Sequence, residues 1–150
     1  SVGGVLNILS KTSFPPGTTF GSLAIVQGRC LETIAEFGGS TSVFINVHFF
    51  NWTSQNLQAF IERVSMHHKR ALNDPLHYFV CILGDMNIRY ACQTVLEVAT
   101  GKAILKEPKH AKPTKLFKQV LDLFTRIEHN QYTHTTTMDA GTLTQLIMYI

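Results

Sequence analysis

The chain has 150 residues, of which 45% are hydrophobic and 15% are charged, and its formal net charge is +3 at pH 7. This is the length of one ordinary domain with a real core, and the hydrophobic content is typical of a globular protein. No apolar run is long enough to cross a bilayer, and the first residues lack the basic and apolar regions of a secretory signal, so we expect no membrane association.

The cysteines indicate the redox state of the compartment. Cys30, Cys81 and Cys92 form no closely spaced pair, and Cys81 lies inside an apolar run. Reduced thiols in an intracellular protein are the simplest interpretation.

Both ends of the chain are unusual for a domain. The sequence begins at Ser1, runs almost at once into a strand-like segment, and stops within the apolar run QLIMYI (Gln145–Ile150). Natural domain ends are usually polar and exposed. We therefore expect residues 1–150 to be a single partial domain that is truncated at both ends.

The first third of the sequence predicts strands joined by short turns. Glycine, proline and serine residues separate segments with the apolar content or alternation of strands. These predicted strands are Val5–Leu9, Ser22–Gln27, Cys30–Phe37 and Val43–Phe50. In the last strand Val43, Ile45, Val47 and Phe49 line one face, and Phe44, Asn46, His48 and Phe50 line the other.

A helix and another strand follow. Thr53 or Ser54 can cap the start of the helix, and Asn73-Asp74-Pro75 ends it. Spacings of three and four place one stripe on this helix, formed by Leu57, Phe60, Ile61, Val64, His68 and Ala71. The apolar run FVCIL (Phe79–Leu83) comes next, so strand, helix and strand form a crossover unit that favours parallel strands.

The second half of the chain gives weaker signals. Thr94–Val98 fits either a strand or a helix, and Pro113-Thr114 opens a second helix. The apolar stripe of that helix is Leu116, Phe117, Val120, Leu121, Phe124 and Ile127. Six lysines between Lys102 and Lys118 are opposed only by Glu107, which fits a solvated loop or a contact with a nucleic-acid backbone. The mixture of elements predicts an α/β fold.

Polar residues follow the apolar run in FVCILGDMNI, residues 79–88. One interpretation is a turn, because Asp and Asn stabilise turns by hydrogen-bonding their own backbone. The other is that Asp85 and Asn87 share one face of an extended segment and point at a common ligand. The position of His48 favours the second interpretation. His48 lies near the end of the neighbouring predicted strand, and the carboxyl ends of neighbouring parallel strands meet at one edge of a sheet, where α/β proteins bind ligands.

These three residues have the chemistry that phosphate ester hydrolysis needs. An Asp can orient or deprotonate a water, a His can bind or protonate a phosphate oxygen, and an Asn can donate to an oxyanion. Mg²⁺ usually shares the charge in such sites.

Four stretches of the chain resemble the endonuclease/exonuclease/phosphatase superfamily, in the family's order. They are GGVLNILSK (Gly3–Lys11), FINVHFFN (Phe44–Asn51), ILGDMN (Ile82–Asn87) and YTH (Tyr132–His134). The specific part is strand-N-x-H followed, after a helix, by strand-G-D-x-N. NVHFFN before a helix is most similar to endonuclease modules of non-LTR retrotransposons. The resemblance implies an incomplete four-layer α/β sandwich, with two facing sheets and helices outside.

The resemblance also implies roles for particular residues. His48 would contact the scissile phosphate, Asp85 would polarise the attacking water, and Asn87 would stabilise the transition state. Asp85 and Asn87 would also be the ligands of a weakly bound Mg²⁺ or Mn²⁺. The residues implied at the substrate groove are Asn46, which supports the strand end, and Thr133 and His134.

The sequence departs from the family pattern in ways that affect catalysis. The metal-binding Glu and an Asn of the family would lie upstream of Ser1, and its closing Asp-His pair would come after Ile150. Thr144 stands where a further Asp is expected. Because Mg²⁺ needs several hard oxygen ligands, we expect the isolated chain to be inactive.

The implied function is metal-dependent hydrolysis of phosphodiesters, with DNA as the preferred partner and the nucleus as one candidate compartment. Two alternatives remain open. One is a phosphatase or sphingomyelinase-type member of the same fold, and the other is a degenerate, non-catalytic remnant that binds nucleic acid or a protein partner. Phe50 and Trp52 follow the His48 strand and fit either a substrate contact or core packing.

Overall fold

The computed structural model describes residues 4–88, 93–97, 100–106, 112–128, 134–135, 143–144 and 147–149. These residues form strands, two α-helices and a short 3₁₀-helix, Lys11–Ser13. The α-helices are α1 (Ser54–Asn73) and α2 (Lys112–Leu121). The strands are β1 (Thr19–Val26), β2 (Cys30–Phe37), β3 (Ser40–His48), β4 (Tyr78–Asp85), β5 (Gln93–Glu97), β6 (Lys102–Lys106), β7 (Arg126–Glu128), β8 (His134–Thr135), β9 (Leu143–Thr144) and β10 (Ile147–Tyr149).

One mixed sheet of six strands organises the described part of the chain. Its order is β1-β2-β3-β4-β10-β7, while β5 pairs with β6 and β8 with β9 in two-stranded sheets. β3 and β4 are parallel, and the other neighbours in the large sheet are antiparallel. α1 connects the parallel pair, which confirms the predicted crossover unit. The predicted α/β fold is also confirmed.

The core lies on one face of this sheet, beneath both helices. Val43, Ile45, Val47 and Phe49 of the β3 segment are buried there. Their partners on the helices are Leu57, Phe60 and Val64 of α1 and Phe117, Val120 and Leu121 of α2. The Phe49 and Phe117 rings stack with their centroids 3.9 Å apart. Because the core takes the odd-numbered positions of β3, Asn46 and His48 project from the opposite face of the sheet.

The boundaries of α1 agree with the sequence, but its buried stripe differs from the predicted one. Thr53 caps the helix, since its hydroxyl oxygen accepts from the Asn56 N–H at 3.1 Å. His67, and not the predicted His68, is the buried histidine of α1. Its polar neighbours, described below, make that burial possible. In the part of the chain that the structure describes, no helix combines the length and the hydropathy needed to cross a bilayer.

One alternative is decided and one predicted element differs. Thr94–Val98 fits either a strand or a helix by sequence, and its described residues lie in strand β5 (Gln93–Glu97). The predicted stripe of the second helix extended to Ile127, but α2 ends at Leu121 and Ile127 pairs with Met148 in the large sheet. An apolar residue next to a helix can continue its stripe by spacing alone while the backbone has already entered a strand.

The predicted strand Val5–Leu9 does not form, although its alternation is real. Val5, Asn7 and Leu9 are half-buried, while Leu6 and Ile8 are 70% and 86% exposed. This segment lies over the second face of the sheet, where the Asn46 carboxamide donates to the Leu6 carbonyl at 2.9 Å and the Asn7 carboxamide donates to the Thr33 hydroxyl at 2.9 Å. Side-chain hydrogen bonds therefore hold this segment on the sheet face, and it does not pair as an edge strand.

The buried cysteines remain protonated thiols. Burial, with a smaller effect of the nearby Glu32 charge, raises the pKa of Cys30 to about 12. Burial raises the pKa of Cys81 to about 11. Both cysteines are free, and Cys92 lies outside the described residues.

Candidate active site

The parallel pairing of β3 and β4 brings two predicted site residues together. The register places His48 opposite Asp85 at the carboxyl ends of the two strands, and the Phe49 N–H donates to the Asp85 carbonyl at 2.9 Å. Paired residues of parallel strands project from the same face. Both side chains are half-buried and lie on the face that the helices leave uncovered. The convergence predicted from the sequence is therefore present at the level of strand register.

Gly84 makes this close pairing possible. Its φ of +124° is a backbone conformation that L side chains rarely adopt. A Cβ at this position would lie 2.8 Å from the Val47 nitrogen and 2.9 Å from Asn46 Oδ1, and closer still to the Val47 carbonyl oxygen. The glycine of GDMN thus allows the end of β3 to approach the end of β4.

Asp85 and Asn87 do not share one face of an extended segment, so that prediction is wrong. The strand ends at Asp85, and Asn87 has a left-handed backbone with φ of +47°. The Asn87 N–H donates to Asp85 Oδ1 at 3.0 Å, which is the local turn that Asp residues favour. The turn holds the backbone of Asn87, an exposed residue, against the Asp85 carboxylate, while Met86 between them is buried. The turn and the ligand-site interpretations are therefore compatible.

His48 is held by a residue that sequence reasoning did not single out. Arg29 Nη1 lies 2.8 Å from His48 Nδ1. A guanidinium can only donate, so Nδ1 accepts and the imidazole carries its proton on Nε2. The backbone supports the same arrangement, because the His48 N–H donates to the Arg29 carbonyl at 2.7 Å.

The other predicted residues have different surroundings. Asn46 is two residues before His48 on the same face, and its carboxamide holds the N-terminal segment through the Leu6 carbonyl. Thr133 lies outside the described residues. The backbone of His134 pairs with Thr144 in the two-stranded sheet of β8 and β9. Trp52 packs against Phe49, Phe60 and Phe117 in the core, whereas Phe50 is half exposed beside His48.

A buried ionic cluster lies on the opposite, helix-covered side of the sheet. Glu32 accepts from Arg63 Nε at 2.7 Å and from His67 Nε2 at 2.6 Å, and His67 Nδ1 lies 2.7 Å from the Tyr78 hydroxyl. Burial alone would raise the pKa of Glu32, but hydrogen bonds and charges from Arg63 and His67 outweigh it and lower the pKa to about 2. This cluster ties β2, α1 and β4 together. The sequence signal for this cluster is Glu32, a charged residue at an inward-facing position of an alternating strand.

The described residues do not by themselves fit a divalent metal. Among them, no group of three His, Cys, Asp or Glu side chains is placed to hold a metal ion. Asp85 offers one carboxylate, and one of its oxygens already accepts the Asn87 N–H. Mg²⁺ needs near-octahedral coordination by hard oxygens, so Asp85 and Asn87 alone are too few protein ligands.

The fold of this chain is similar to that of a retrotransposon endonuclease domain, in agreement with the fold that the sequence motifs implied. The endonuclease domain of TRAS1, a telomere-specific non-LTR retrotransposon, matches 91% of this chain with a TM-score of 0.52 and 9% sequence identity. A 3′ phosphatase from Neisseria, NExo, whose structure contains a product DNA hairpin, matches 90% with a TM-score of 0.43 and 18% identity. The chain spans 57% and 58% of these two proteins. No model of a known sequence family matches the chain, and no curated protein matches it.

Proposed function

We propose that this chain is part of a phosphodiester-hydrolysing protein that acts on DNA. The observation that carries the proposal is the parallel register that sets His48 opposite Asp85. The Asn87 N–H donates to the Asp85 carboxylate beside them. The fold supports it, because the TRAS1 domain that shares the fold is an endonuclease domain.

Each of the three side chains has a hydrogen-bond donor or acceptor available for a phosphate group or for the water that attacks it. The protonated Nε2 of His48 can donate to a phosphate oxygen, because Arg29 occupies Nδ1. Asp85 Oδ2, the oxygen not used in the turn, can accept a hydrogen bond from an attacking water and orient it. The exposed carboxamide of Asn87 can donate to the negative charge that develops on the phosphorus oxygens.

A non-catalytic remnant that binds nucleic acid is the second candidate function. It is favoured by the single carboxylate of the site and by the lack, among the described residues, of a three-ligand metal group. Thr144, which stands where the family resemblance implies an Asp, also favours the non-catalytic remnant. For the same reasons we propose that the 150-residue chain alone does not cleave DNA, and that Mg²⁺ or Mn²⁺ would need further oxygen ligands.

The proposal is tested by a nicking assay on the full-length product of the gene that encodes this chain. With supercoiled plasmid and Mg²⁺ the protein is expected to nick DNA, and Asp85→Ala is expected to lower the rate by about 10²-fold or more, as loss of such groups typically does. Asp122→Ala is the matched control, because Asp122 is an exposed aspartate whose partner is Lys118 on α2.

Three results would change the account. Equal nicking by the Asp85→Ala and Asp122→Ala proteins would remove Asp85 from the reaction. DNA binding without any nicking by the full-length protein would support the remnant. Mg²⁺-dependent cleavage by the 150-residue chain would show that the described residues suffice for catalysis.

A further inference from the structure

Arg29 carries a positive charge that no carboxylate balances in the described part of the chain. It lies in the turn between β1 and β2, where its N–H donates to the Val26 carbonyl at 2.9 Å. Its side chain donates to His48 Nδ1 and lies over the Phe50 ring, with 5.6 Å from the guanidinium carbon to the ring centroid. A cation fixed beside the His48 imidazole is well placed to attract a phosphate group.

Phe50 presents an aromatic surface next to this cation. Its ring stacks on the His48 ring at 5.9 Å with an interplanar angle of 13°, and its N–H donates to the His48 carbonyl at 3.0 Å. Asn51 then turns the chain away with φ of +53°. The ring is therefore held in place by its neighbours, yet 50% of the residue remains exposed.

We propose that Arg29, His48 and Phe50 form a subsite for an unpaired nucleotide, whose phosphate contacts Arg29 and His48 and whose base stacks on the exposed part of Phe50. Aromatic side chains bind single-stranded nucleic acids in this way, and arginine adds charge attraction to the backbone. A base inside a duplex already has neighbours on both of its faces, so the subsite favours single-stranded or locally opened DNA. This inference rests on the proposed function and specifies its substrate.

The test measures binding by the full-length protein without metal, using a fluorescent oligothymidine, the same oligonucleotide with abasic units, and a duplex. Phe50→Leu is expected to weaken binding of oligothymidine about 5- to 150-fold, since one base–aromatic stack contributes about 1–3 kcal/mol. Phe50→Trp keeps an aromatic ring and is expected to bind as wild type. Binding of the abasic oligonucleotide should not change in either variant.

Two further variants complete the design. Arg29→Gln is expected to weaken binding of both oligonucleotides and to reduce the slope of log affinity against log salt by about 0.7, as loss of one phosphate contact on a single strand does. Phe79→Leu is the matched control, because Phe79 is likewise an exposed phenylalanine but lies at the start of β4, the end of that strand away from Asp85.

The outcomes separate the subsite from the proposed function. The subsite is refuted, while the proposed function stands, if the Phe50→Leu protein binds oligothymidine as tightly as wild type. The same holds if the substitution weakens binding of the abasic oligonucleotide as much as binding of oligothymidine. Tighter binding of the duplex than of oligothymidine would also refute it. If the wild-type protein binds none of the three ligands, both proposals fail.

Discussion

Gly84→Ala is expected to lower the free energy of unfolding by about 2 to 6 kcal/mol. Two effects add: the cost of placing a side chain at a φ of +124° is about 1–3 kcal/mol, and overpacking costs about 1–3 kcal/mol. The atoms in the way belong to Val47 and Asn46 of β3. They cannot move without disturbing the register that sets His48 opposite Asp85. Urea unfolding followed by circular dichroism measures the change.

Two other glycines separate the causes. Gly39→Ala has positive φ but open space around the new methyl group, so it reports the backbone cost alone. Gly21→Ala in β1 has neither problem and is expected to stay close to wild type. A Gly84→Ala protein no less stable than Gly39→Ala would contradict the close approach of the two strands.

Glu32→Gln is expected to destabilise the protein by about 3 kcal/mol at pH 7. The substitution removes the anion that pairs with Arg63 and His67, and leaving part of a buried pair without its partner typically costs about 3–5 kcal/mol. We expect the lower end, because the Arg63 side chain is 30% exposed and water can reach it. Glu36→Gln is the matched control, since Glu36 is an exposed glutamate of the same strand.

The same cluster predicts how stability depends on pH. The pKa of Glu32 in the folded protein is about 2, against an ordinary value of 4.5. The lowered pKa means that the contribution of Glu32 is fully present above about pH 4.5 and is lost as pH falls towards 2. The stability difference between wild type and Glu32→Gln should therefore shrink as pH falls from about 4.5 to 2. A difference that grows across this range would contradict the cluster.

The parts of the fold that depend on local patterns could be predicted from the sequence. The alternation in Val43–Phe50 assigned the core face and the site face of β3 correctly, because side-chain direction in a strand has a strict period of two. The helix between β3 and β4, with its cap at Thr53, identified the crossover and hence the parallel pair. These two inferences were enough to predict that His48 lies next to Asp85.

The parts that depend on tertiary partners could not be predicted. Val5–Leu9 has the alternation of a strand, but a strand forms only if a neighbouring strand edge is available for backbone pairing. Here the segment instead makes hydrogen bonds with side chains on the face of the sheet. His67 is buried because Glu32 and Tyr78 supply polar partners from two other elements. Arg29 lies 19 residues from His48 in the sequence, and only the β2–β3 pairing brings them together.

The central proposal is that His48 and Asn87 contact the same phosphate group. Nuclear magnetic resonance of the metal-free protein, titrated with a phosphorothioate-linked thymidine dinucleotide, tests it most directly. The account predicts that the His48 imidazole and the Asn87 side-chain amide signals both shift and give the same Kd. A shift of one without the other, or two different Kd values, would contradict it.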